Sequence, residues 1–212
     1  MGRSTKGAQM QFDKAKLKSV ILYACTRCDG GELGAVKMHK VLYFLDMLHY
    51  ADMGAPVTGS TYRKRDIGPT NDQLLPTLRE MKAAGEIDVR EVDYFGYRKV
   101  EYVARAQPRT ELFSKRELDL LDEVIDFVCA RNTAKTISEF SHNRAWEMVE
   151  FGAEIPYNSV LLILPTQVSP EAIEWGASQV GAIEAERSKG DAMGGTDFGA
   201  IRRRVLERHG AR

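Results

Sequence analysis

The stretch Val36–Pro69, VKMHKVLYFLDMLHYADMGAPVTGSTYRKRDIGP, decides how the rest of the chain is read. Met38, Val41, Leu42, Leu45 and Leu48 fall at helical spacing and predict a helix over about 35–53, stopped by Gly54 and Pro56. Phe44 and Met47 carry the apolar character further round, and a helix apolar on most sides belongs at the centre of a core. His39, Tyr43, Asp46 and Tyr50 share a second face of it. A carboxylate in that setting needs hydrogen-bond donors, which tyrosine hydroxyls supply.

Downstream, residues 58–67 begin with β-branched residues and turn charged, the pattern of a short exposed strand with Arg63 and Arg65 on one side and Tyr62 on the other. Gly68-Pro69-Thr70-Asn71-Asp72 reads as a turn into a third helix with Leu74, Leu75, Leu78 and Met81 inward. Residues 87–94 and 97–105 flank Phe95-Gly96 and read as a hairpin. Upstream, a first helix over 13–26 turns Leu17, Val20, Ile21 and Ala24 inward, after a loose tail over 1–11. Ser114-Lys115-Arg116-Glu117 has the form of a capping box opening a helix that buries Leu118, Leu121, Ile125 and Val128. Thr136–Glu139 repeats that spacing before Ser141-His142, and Trp146 and Ile155-Pro156-Tyr157 follow. Residues 171–189 form another helical pattern, 190–195 a glycine-rich hinge, and 196–208 a basic amphipathic helix carrying Phe198, Ile201 and Val205 on one face.

These pieces predict an α+β fold, mainly helical, with helices packed around a central apolar helix and a small antiparallel β element. Residues 12–166 make the domain, and 167–212 a helical C-terminal extension. Thirty basic and thirty acidic residues give no net charge, which argues against non-specific nucleic-acid binding. Three cysteines cannot all pair, the N-terminus has no apolar signal region, and the apolar run over 160–164 is too short to span a bilayer. The chain is therefore expected to be soluble and cytoplasmic, with no membrane partner.

Each chemical feature has a plainer competitor. Cys25-Thr26-Arg27-Cys28 is a lone C-x-x-C without the two further ligands zinc requires, so reduced packing cysteines are the better reading. His39 and His49 lie ten residues apart on one helix, too far to share an ion, and core histidines fit them better. Asp46 has no nucleophile, phosphate loop or second carboxylate beside it. No catalytic, metal or cofactor-binding residue is expected, and no cofactor. Arg63-Lys64-Arg65 serves either a partner or simply a protected strand edge. The stripe of Phe198, Ile201 and Val205 either docks on a partner or folds back on the domain.

Lys37-Met-His-Lys-Val-Leu-Tyr-Phe-Leu-Asp46, followed by Asp66-Ile-Gly-Pro69, resembles the K-L-H-K-L-L-Y-F/Y-A-D and Y-G-P-V pattern of SocA-like antitoxins, the Panacea domain. Ile137-Ser-Glu-Phe-Ser-His142, Trp146 and Ile155-Pro156 resemble that family's later L-S-E-x-T-H, W and I-P pieces, so the resemblance runs over about 15–165. Asp66-Ile67 stands where an aromatic before Gly-Pro is usual, and Thr70 where Val is common. The resemblance implies a mostly helical, non-enzymatic antitoxin, from a bacterium or phage, that neutralises a cognate toxin by protein contact. It also makes His39, Tyr43, Asp46, Gly68, Pro69, His142 and Trp146 the structural core of the motif. Tyr62, Arg63, Arg65, Phe198, Ile201 and Val205 are the candidate partner-binding residues, and a homo-oligomer is compatible with all of this. The alternative is a winged-helix-like DNA-binding regulator, with Gln73, Arg79 and Lys82 facing a groove, although Asp72, Glu80 and Glu86 crowd the same helix. A hydrolase is a minor third.

Overall fold

The computed structural model describes residues 11–28, 33–94 and 96–163, and the side chains of Tyr94 and Tyr97 are not among what it describes. Residues 1–10 of the tail predicted over 1–11, the C-terminal helices and the glycine hinge lie outside the described residues.

The central helix, α2 (Ala35–Met53), buries every residue from Lys37 to His49. This is what an all-round apolar sequence demands. Gly54 ends it at φ 74, and its N–H closes on the Tyr50 carbonyl at 2.8 Å. α1 (Lys14–Arg27) starts at Asp13, whose carboxylate accepts the Lys16 N–H, and buries Leu17, Val20, Ile21 and Ala24 as the periodicity predicts. α3 (Leu74–Ala83) follows the first hairpin and α4 (Lys115–Ile125) the second. Ser114 and Glu117 form the expected capping box, and Glu117 also binds Lys16 Nζ at 2.6 Å, which fastens α4 to α1. α4 runs on as a π turn, Asp126–Ala130, before α5 (Ala134–Ser141) and α6 (Arg144–Glu147). A 3-10 segment, Tyr157–Leu162, lies against α2. The architecture is mainly helical α+β, as expected, with two separate two-stranded antiparallel sheets in place of a single β element.

The largest departure lies between α2 and α3. β1 (Tyr62–Arg65) pairs with β2 (Gly68–Asn71), so Gly68-Pro69-Thr70-Asn71, read as a turn, is a strand. Proline is admissible there because Pro69 faces Lys64 at a non-bonded position, where its missing N–H points away from β1. The outer edge of β1 is not exposed either. Lys64 N–H donates to the Ala153 carbonyl, and Gly152 and Ile155 N–H groups donate to Lys64 and Tyr62 carbonyls. The second hairpin, β3 (Ile87–Tyr94) with β4 (Tyr97–Ala104), forms as the sequence predicts.

Two smaller corrections follow from side-chain geometry. Leu75, expected inward, stands 49% exposed, because Leu74, Leu78 and Met81 already fill the buried side of α3. α5 is capped by Thr133, whose hydroxyl accepts the Thr136 N–H, so the helix starts three residues before the Thr136–Glu139 signal.

Candidate functional site

Asp46 is fully buried and organises the centre of the molecule. Thr58 reaches it with both its N–H (2.7 Å) and its hydroxyl (2.5 Å), and Tyr62 donates from 2.7 Å. The Tyr157 hydroxyl lies 3.2 Å away and also meets the Ser60 carbonyl at 2.5 Å. Burial pushes the Asp46 carboxyl above its ordinary value, and these donors pull part of the way back. Tyrosines do satisfy Asp46, but they come from β1 and the 3-10 segment. Tyr43 and Tyr50 of the same helix pack edge-on against Tyr62 and beside Tyr157. Asp46 thus ties α2 to segments 16 and 111 residues away.

Tyr62 was expected at the surface as a partner-binding residue, and the structure corrects this. It is 1% exposed, because alternation turns it toward α2 while Arg63 faces outward.

Six residues earlier on α2, Lys40 is 0% exposed and has no carboxylate partner among the described residues. Its ammonium donates to the carbonyls of Ile67 (2.6 Å) and Pro69 (3.0 Å), and burial lowers its pKa to about 7. His39 accepts the Asn71 N–H at Nδ1, 3.1 Å away, so Lys40 and His39 hold the two ends of β2. Burial first, and the Lys40 charge second, lower His39 to about 4. Gly68 sits at φ 89 between these groups, and a Cβ there would run into Ser141 Oγ and Lys40 Nζ. Ser138 Oγ donates to the Ile67 carbonyl, and Trp146 Nε1 to the Arg65 carbonyl. His142 stacks on Trp146 at 4.1 Å, and Lys64 Nζ lies 4.2 Å from the same indole ring. The motif residues His39, Gly68, Pro69, His142 and Trp146 are therefore one device that clamps the β1–β2 hairpin against α2 and α5, with Tyr43 and Asp46 beneath it. Lys40, Thr58 and Tyr157 were missed as members. The signals for Lys40 were a cation embedded in a largely apolar helical run and its place in the K-L-H-K piece of the family pattern.

The exposed groups sit round that clamp. Arg63 binds Asp72 at 2.6 Å and the Gly152 carbonyl at 3.2 Å. Arg65 is exposed, with its guanidinium 5.8 Å above the Phe151 ring. Phe151 (60%), Met148 (67%) and Ile67 (42%) are large apolar side chains left in solvent, the first of them under Arg65. Phe198, Ile201 and Val205 lie outside the described residues.

Among the described residues no group of three His, Cys, Asp or Glu side chains is placed to hold a metal ion. Burial, reinforced by Cys28, pushes the Cys25 thiol up to about 12, which leaves it a poor nucleophile. The described helices include none long and apolar enough to cross a membrane. At the N-cap of α3, Gln73 accepts the Thr61 N–H, and Glu80 pairs with Lys14 and Lys18, while Arg79 and Lys82 stay exposed.

Neither the curated proteins nor the solved structures searched give a match to the chain. The family model described as antitoxin SocA-like, Panacea domain, matches residues 38–147, just over half of the chain. That span holds His39, Lys40, Asp46, Gly68, Pro69, His142 and Trp146 of the clamp, and Tyr157 lies beyond it. The chain belongs to the SocA-like antitoxin family, as a Panacea domain protein.

Proposed function

We propose that the protein is an antitoxin that neutralises a partner toxin by direct protein–protein contact, without catalysis, in the cytoplasm of a bacterium or phage-infected cell. The family match over residues 38–147 carries this reading. The geometry supports it in a specific way. The buried polar groups hold the β1–β2 hairpin in place, which pre-organises a surface. Arg63 and Arg65 remain anchor candidates on that surface, and Phe151 and Met148 take the place proposed for Tyr62. Arginine and aromatic side chains of this kind dominate protein interfaces. Phe198, Ile201 and Val205 are the second proposed anchor.

The DNA-binding alternative gains little support from α3, whose Gln73 and Glu80 are engaged within the domain. The test is growth rescue. The neighbouring gene is expressed alone, then together with this chain. Toxicity relieved by co-expression supports the reading, and a harmless neighbour or unrelieved toxicity sinks it for that pair.

A further inference from the structure

The β3–β4 hairpin has one edge partly covered and one bare. At the base of the hairpin the Arg105 N–H donates to the Glu86 carbonyl at 2.9 Å, so Glu86 and Arg105 form a bonded pair. Alternation along the register then makes Asp88, Arg90 and Val92 bonded positions and turns the N–H and C=O groups of Val89, Glu91 and Asp93 outward. Gly34 bridges the outer edge of β4 at Glu101. Among the described residues no backbone group covers the outer edge of β3.

Charges on such an edge ordinarily resist pairing. Here they reject some partners and accept one. An antiparallel copy of β3 must match odd residues with odd residues to make its hydrogen bonds. Centring the two-fold axis on Asp88, Arg90 or Glu91 places like charges directly opposite each other, which is destabilising. Centring it on Val89 places Val89 against Val89, Ile87 against Glu91, and Asp88 against Arg90 on both sides of the axis. Within one chain, Arg90 Nη2 makes an exposed ion pair with Asp88 at 3.8 Å, too long for a hydrogen bond, and its 55% exposed side chain can reach across to the Asp88 of a second copy instead. Asp88 is held by Arg105 at 2.8 Å and keeps acceptor capacity for a second guanidinium.

We propose that β3 pairs antiparallel with β3 of a second copy of this chain about a two-fold axis at Val89, joining the two hairpins into one four-stranded sheet. The pairing supplies about six inter-chain backbone hydrogen bonds, two for each bonded pair, and two Asp88–Arg90 ion pairs. It stands apart from the antitoxin reading, because the β1–β2 clamp and its exposed side chains are not part of it.

Sedimentation of the full chain across a concentration series tests it. The expected species is twice the 23.8 kDa chain mass. Glu91→Pro removes only an outward N–H, so the variant should melt like the wild type and sediment as a monomer. Arg90→Glu puts carboxylate opposite carboxylate and should do the same without touching the backbone. It decides the matter if the proline variant does not fold. A monomeric wild type, or a folded variant that stays dimeric, overturns the proposal. So does a monomer whose Glu91→Pro variant loses growth rescue, since the edge then receives a strand of the toxin.

Discussion

At the scale of single residues, the polar side chains whose loss the fold should feel most are the buried ones rather than the surface ion pairs. Replacing Asp46 by Ala leaves the Thr58 N–H without its acceptor, while Tyr62 and Tyr157 retain the Leu42 and Ser60 carbonyls. The expected loss is about 1–3 kcal/mol, read by urea denaturation, and an unchanged midpoint would contradict the buried network. His39 gives a pH signature. Its folded pKa lies near 4 against 6.5 in the unfolded chain, so below pH 6.5 the unfolded state takes up the proton more readily. The His39 contribution is therefore fully present above pH 6.5 and lost as pH falls toward 4, by on the order of 3 kcal/mol. His39→Asn should flatten that part of the stability–pH curve, and two parallel curves would show that His39 is not the titrating group. Lys40 works in the opposite sense to a stabilising charge, since its burial without a carboxylate costs stability that the two hairpin carbonyls only partly return.

At the scale of elements, Gly68 is where a strand, a helix and a loop converge. Gly68→Ala meets both a left-handed φ and two side-chain atoms, whereas Gly54→Ala meets the φ alone, with nothing within 4 Å. Thermal melts should rank Gly68→Ala well below Gly54→Ala, by about 1–3 kcal/mol, and equal losses would mean that the clamp yields freely. The long elements were legible because their signals are local: the apolar run of α2, the apolar spacing of α1, the capping box at Ser114 and the alternation in the second hairpin. β2 was not, because Gly-Pro carries a turn signature and its strand pairing depends on which way the proline nitrogen faces. The same limit hid the site. Lys40, Thr58 and Tyr157 acquire their roles only from groups 27, 12 and 111 residues away, and Tyr62 looked exposed because its burial is decided by α2 rather than by its own charged strand.

At the scale of the whole molecule, the fold holds the β1–β2 hairpin against α2 with Arg65 exposed, and the anchors proposed in residues 167–212 rest on the sequence. Deleting residues 191–212 should leave the melt of the domain unchanged and abolish growth rescue. Intact rescue would return the search to Arg63, Arg65 and Phe151. The absence of net charge predicts weak binding to random duplex at physiological salt, so a tight and steeply salt-dependent gel shift would favour the regulator instead. The most direct test of neutralisation by contact is calorimetric titration of the purified full chain with the purified product of its toxic neighbour. A saturable, stoichiometric complex, weakened by Arg65→Ala together with Phe151→Ala, is the predicted result. No heat of binding from two folded proteins whose genes rescue each other in cells would contradict it.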